Sequence, residues 1–206
     1  MALRQLQILF PNAHVWTDAI CINQANEAEK SHVVQHMGQI FHAAARVYAW
    51  LGPADPGVDD VGDSSDALLD HLQQIGDLFW DTAGPDSRLD EMPFDMDPIL
   101  AELLPELNEM FETPSEKGGF PTLAYTRFSN RDYWQRVWVL QEVYLAQKLI
   151  FCCGDKVMES KTLAGALILL SSYQNSPSQL PATPKCTAYS CTPPSTQPQP
   201  TPCALL

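Results

Sequence analysis

The chain of 206 residues is long enough for one folded domain, and its 45% apolar content supports a packed core. A formal net charge of -13 argues against nucleic-acid binding, because phosphate contacts require a basic surface. No apolar run approaches the roughly 20 residues of a membrane span, and the start lacks the basic and apolar regions of a secretory signal; the expectation is a cytoplasmic protein.

The first pattern, "LRQLQILF", reads as the end of a helix stopped by Pro11 and Asn12. From Trp16 to Gly52 the chain reads as a strand ending at Asp18, a polar turn, a helix with Val33, Met37, Ile40 and Ala44 on one stripe, and a strand "RVYAWLG" closed by glycine. A strand, crossover helix and strand most simply form a parallel pair, so an α/β sheet flanked by helices is expected. The opening segment is too short for a further strand-helix unit, which implies a missing earlier strand.

The negative charge is concentrated. Residues 53 to 116 hold 18 Asp and Glu against the single Arg88, whereas the rest of the chain sums to +4. Residues 53 to 65 form a Pro/Gly/Asp cluster expected as a mobile loop. Two helical patterns follow, one carrying Leu68, Leu69, Leu72, Ile75 and Phe79, the other entered at Pro98 with Ile99, Leu100, Leu103, Leu104, Leu107 and Phe111 inward and Glu102, Glu106 and Glu109 outward. Residues 53–130 are therefore expected to be an acidic, largely helical insert.

A second organised block begins at Ser129. Ser129 and Asp132 have capping-box spacing, and the helix they predict aligns Trp134, Trp138, Glu142 and Leu145 on one side. "KLIFCCG" then reads as a strand, and "ESKTLAGALILLSSY" as a helix within residues 157–176 with Leu163, Leu167 and Leu170 inward. Residues 177–206, rich in Pro, Ser and Thr, have too little apolar content to offset ordering entropy and are expected to be disordered.

The six cysteines form no C-x-x-C pair, and free thiols are expected. No dinucleotide fingerprint, P-loop, nucleophile elbow or zincin motif is present, and the histidines have no metal-ligand spacing with the cysteines. Asp18 falls at the strand-to-loop edge favoured by α/β ligand sites, with Cys21, Asn23 and Gln24 beyond it. Two readings stand: these side chains bracket the turn through backbone hydrogen bonds, or they line a pocket. For Cys21 the alternatives are an inert thiol and a nucleophile partnered by His14 or His36. Glu142 on the aromatic side of its helix is either paired with Arg131, Arg136 or Arg46, or stabilises an oxocarbenium ion during glycosidic cleavage, as in removal of nicotinamide from NAD. The terminal "CALL" has the form of a prenylation box at Cys203; the competing reading is a chance match or an altered C-terminus.

Together the two blocks resemble the fungal heterokaryon incompatibility (HET) domain. The resemblance rests on Trp16, Asp18, Cys21-Ile22-Asn23-Gln24, Glu29, Gln35, Met37 and Trp50-Leu51-Gly52, then on Tyr133-Trp134, Arg136, Trp138, Gln141-Glu142 and Cys153-Gly154. It covers residues 12–156 and implies a role in non-self recognition and programmed cell death, through protein partners or self-association. Members usually begin with a strand resembling Leu-Ser-Tyr-x-Trp-Gly, which has no counterpart here, so an inactive truncated paralogue is an alternative. The HET domain is in turn distantly similar to the Toll/interleukin-1 receptor (TIR) domain. That likeness implies an open, mostly parallel, flavodoxin/TIR-like sheet and an NAD glycohydrolase with Glu142 catalytic and Asp18, Asn23 and Trp138 holding NAD, here as substrate.

Overall fold

The computed structural model describes residues 2–57, 62–84 and 96–176. Its framework is a small open sheet of three strands, β1 (Val47–Gly52), β2 (Leu149–Cys153) and β3 (Lys156–Glu159), in the order β1-β2-β3. β1 and β2 run parallel, with Val47 opposite Leu149, and β2 and β3 run antiparallel around a tight turn at Gly154. The sheet is thus mixed, where a mostly parallel one was expected. The parallel pair is joined by a long crossover that carries four helices; the antiparallel partner β3 is not expected from the sequence, where it falls between "KLIFCCG" and the final helix, because four residues are too few to display a period.

Eight helices flank the sheet among the described residues: α1 (Ala2–Leu9), α2 (Asp18–Cys21), α3 (Glu27–Ala43), α4 (Ser65–Ala83), α5 (Asp97–Glu112), α6 (Thr122–Ser129), α7 (Val139–Leu145) and α8 (Ser160–Asn175). Caps fix two of them: the Asn26 side chain accepts from the Glu29 amide at 3.2 Å to start α3, and Ser64 Oγ accepts from the Ala67 amide at 3.1 Å to start α4. None is long and apolar enough to cross a membrane.

The apolar stripe expected for α4 is buried as read. Leu68, Leu72, Ile75 and Phe79 have no exposed surface, and each such burial contributes on the order of 1.5–3 kcal/mol. They pack with α5, α6, α8 and the sheet side chains Val47, Ala49, Leu51, Leu149 and Phe151 in one core. The α4–α8 contact is close because a Cβ on Gly76 would lie 2.2 Å from the Thr162 carbonyl oxygen. Next to it Trp80 Nε1 donates to the Lys161 carbonyl at 2.8 Å. The opposite sheet face is covered differently: Ile150 and Cys152 pack with Leu6 of α1, flanked by Phe10, Tyr48 and Trp50. Burial pushes the Cys152 thiol up to about 11.

Three other expectations need correction. The strand expected at Trp16 is absent: residues 13–17 have no regular structure, and Asp18 opens α2 instead. A lone strand without a hydrogen-bonded neighbour is not a stable element, and no ladder reaches this segment. The helix expected from Ser129 is broken into a 3-10 turn at Asp132–Gln135 and the separate helix α7. Ser129 is not its cap; it ends α6, with its hydroxyl donating to the Tyr125 carbonyl at 2.9 Å, and Arg136 is extended at φ -80 and ψ 132. On α8, Leu163 and Leu170 are buried as expected but Leu167 is 38% exposed; Ala166, Leu169 and Tyr173 complete the inward face. The expected disordered tail and Cys203 lie outside the described residues.

Candidate functional site

The polar turn after Thr17 is closed by its own side chains. Asp18 Oδ1 accepts from the Ala19 amide at 2.7 Å, Gln24 Nε2 donates to the Asp18 carbonyl at 2.8 Å, and Asn23 Oδ1 accepts from the Ala25 amide at 3.1 Å. Glu29 reaches back from α3 to accept from the Asn23 amide at 3.1 Å. Short polar side chains that satisfy nearby amides replace the missing ladder in holding this loop. These are the backbone hydrogen bonds of the bracketing alternative for Asp18, Asn23 and Gln24. Cys21 is a free thiol, exposed at the turn.

Glu142 sits elsewhere and is enclosed. It is 8% exposed, Tyr133 donates its hydroxyl proton to Oε2 at 2.9 Å, and Arg136 Nη2 stands 3.9 Å from Oε1. Among Arg131, Arg136 and Arg46, it is Arg136 that pairs with Glu142. Burial, and then the Glu142 charge, push the Tyr133 hydroxyl well above the ordinary phenol range, so Tyr133 stays a proton donor. The break at Arg136 makes this geometry: it turns the chain so that a residue on the 3-10 turn faces a residue on α7. Trp138, at the N-cap of α7, is 38% exposed, and its carbonyl accepts from the Glu142 amide at 3.0 Å. Trp138 and Glu142 are thus brought together on one helical turn. No hydrogen bond or ion pair among the described residues joins either of them to Asp18 or Asn23.

The outer side of α7 has the opposite character. Leu140, Val143 and Tyr144 on the helix are 75%, 48% and 89% exposed, and Val137 just before its N-cap is 79% exposed, with no charged side chain among them. Leu140, Val143 and Tyr144 have the i, i+3, i+4 spacing of one helical face, and an exposed apolar face of this kind is a candidate protein contact surface. The sequence reading missed this, because a helix drawn through Trp134 to Leu145 assigns one stripe to the core and says little about a second apolar stripe on the other side.

A further polar cluster ties the C-terminal end of β1 to the second block. Arg131 Nη1 donates to the carbonyls of Leu51 at 2.9 Å and Pro53 at 3.1 Å. Arg127 pairs with Asp55 at 2.6 Å and Asp63 at 3.2 Å, while Asp63 Oδ1 also accepts from the Ala124 amide. The Gly57 amide, and after it Arg127, hold the Asp55 carboxyl below its ordinary value. The described ends of the loop expected to be mobile are held by these contacts; residues 58–61 lie outside the described residues. Arg127, Asp55 and Asp63 fall in no sequence motif, and no local period links residues so far apart in the chain.

The described residues contain no group of three or more His, Cys, Asp or Glu side chains able to hold a metal. The family model described as heterokaryon incompatibility protein (HET) matches residues 1–142. A curated relative, the heterokaryon incompatibility protein 6, OR allele, of Neurospora crassa, is 33% identical over 154 residues, which cover 73% of this chain and 22% of the relative. The chain thus spans about a fifth of that relative's length. No solved structure matches it.

Proposed function

The chain belongs to the heterokaryon incompatibility family, and from that premise we propose that it is an effector module of fungal non-self recognition that relays incompatibility to programmed cell death by protein contact through α7. The carrying observation is the uncharged apolar face of Val137, Leu140, Val143 and Tyr144. Leaving such a face in water forfeits the burial free energy of each side chain, on the order of 1.5–3 kcal/mol, which a partner recovers on binding. The test is Leu140→Glu with Tyr144→Ser in strains that otherwise react: loss of the incompatibility reaction at unchanged protein level is expected, and a full reaction would sink the reading.

Hydrolysis of NAD is the second reading, supported by the single turn that separates half-exposed Trp138 from Glu142. Contact is the better supported of the two. A carboxylate that stabilises an oxocarbenium ion must reach the sugar, whereas Glu142 is enclosed and already accepts from Tyr133. Nicotinamide release from NAD by the folded chain, abolished by Glu142→Gln, would reverse this order.

A further inference from the structure

β1 has the composition of an interior strand and the position of an edge. Its sequence, Val-Tyr-Ala-Trp-Leu-Gly, carries no charge and no proline, the two devices that ordinarily protect an edge from pairing. Both faces are apolar: Val47, Ala49 and Leu51 point into the main core, and Tyr48 and Trp50 pack beside α1. Strands covered on both faces are typical of positions inside a sheet.

The register says which main-chain groups are left over. Val47 lies opposite Leu149, and its amide donates to the Lys148 carbonyl at 2.8 Å. In a parallel ladder this phase directs the amides and carbonyls of Val47 and Ala49 toward β2 and those of Tyr48 and Trp50 away from it. β1 has no other strand neighbour among the described residues, and no described side chain bonds to the main chain of Tyr48 or Trp50. Beyond them the edge closes, because Arg131 occupies the Leu51 and Pro53 carbonyls. The open edge is therefore a short unit of two donors and two acceptors, centred on Ala49.

We propose that this edge pairs with β1 of a second copy of the chain, antiparallel about a two-fold axis at Ala49. In that register Tyr48 of each copy stands opposite Trp50 of the other, as hydrogen-bonded pairs, and the unit of four groups is satisfied by its own image. Both pairs place a Tyr ring and a Trp ring on one face, a favourable cross-strand combination. The sheet becomes six-stranded, with β3 at each outer edge. β1 itself is uncharged, so no like charges meet between the two paired strands. The chain's own candidate occupant, residues 13–17, has no regular structure and leaves Val15 and Trp16 42% and 41% exposed.

The experiment is sedimentation equilibrium of the 206-residue chain over a concentration series, with two double variants. Tyr48→Lys with Trp50→Lys places like charges opposite each other in both cross-strand pairs and is expected to weaken the dimer at least about tenfold. Tyr48→Lys with Trp50→Glu sets opposite charges in the same places and is expected to restore it. Both lose the same aromatic contacts with α1, so a dimer weakened equally in both, or in neither, overturns the proposal, as does a wild-type chain that stays monomeric. If the variants do not fold, amide exchange of the wild type decides: protection at Tyr48 and Trp50 that rises with protein concentration supports the pairing. Protection independent of concentration, shared with residues 13–17, assigns the edge to the chain's own segment and overturns it. The α7 substitutions leave Tyr48 and Trp50 unchanged, so failure of one proposal leaves the other standing.

Discussion

The hydroxyl of Tyr133 lies 2.9 Å from Oε2 of Glu142, and both residues are buried. Tyr133→Phe leaves the Glu142 carboxylate without that donor, with only Arg136 at 3.9 Å to compensate. A loss of about 1–3 kcal/mol is expected in urea unfolding. Glu142→Gln keeps an oxygen acceptor for Tyr133, so a smaller loss is expected. Equal losses would show that the hydroxyl bond is not the stabilising part.

Stability should fall in alkali in two stages. The Cys152 thiol is raised from 9.0 to about 11, so the unfolded chain releases this proton first and stability declines between pH 9 and pH 11. Above 10.0 Tyr133 adds to the decline, because its folded form holds the proton that the unfolded form gives up. The slope approaches about 1.4 kcal/mol per pH unit for each such proton. Burial raises the adjacent Cys153 thiol as well, so Cys152→Ala should reduce the first stage without abolishing it, and Tyr133→Phe should reduce the second, both read from unfolding midpoints at fixed pH.

Arg127→Met releases Asp55 and Asp63 together. Its side chain is 32% exposed, so the global loss should be small, about 1 kcal/mol or less, and reduced further by salt. Limited proteolysis is the sensitive readout, with faster cleavage expected between residues 53 and 64. The Asp55 contribution is present above its ordinary value of 3.8 and lost as pH falls through its lower folded value, so the wild-type and variant cleavage rates should converge in acid.

Gly76→Ala tests the close approach of α4 and α8. The added methyl meets the Thr162 backbone at 2.2 Å, and backbone cannot move aside as a side-chain tip does. Helix propensity alone favours alanine by about 1 kcal/mol, but separation of two packed helices should outweigh it and give a net loss of about 1–3 kcal/mol. A gain in stability would mean that the helices separate at little cost.

The parts of this fold legible in the sequence are those set by local period and composition. The buried stripe of α4, from Leu68 to Phe79, and the strand Leu149–Cys153 follow from which residues are apolar and how they are spaced. Trp16 and Thr17 illustrate the limit: β-forming residues become a strand only when a neighbour completes the ladder, and that is a long-range fact. Likewise nothing local marks Arg136 as the break between the 3-10 turn and α7, because an extended arginine is compatible with either continuation of the chain. Of the candidate site, the Trp138 to Glu142 spacing was readable. The enclosure of Glu142, and its distance in the hydrogen-bond network from Asp18, were not.

Gly52 and Arg131 give the two sequence blocks a physical joint. Gly52 adopts φ +117, and a Cβ there would stand 2.9 Å from Arg131 Nη1, so a side chain at this position would displace the guanidinium from the Leu51 and Pro53 carbonyls. The glycine that ends the first block is therefore shaped around an arginine that opens the second. Arg131 also directly precedes the 3-10 turn that carries Tyr133. One guanidinium thus joins the end of β1 to the turn that seats Tyr133 against Glu142.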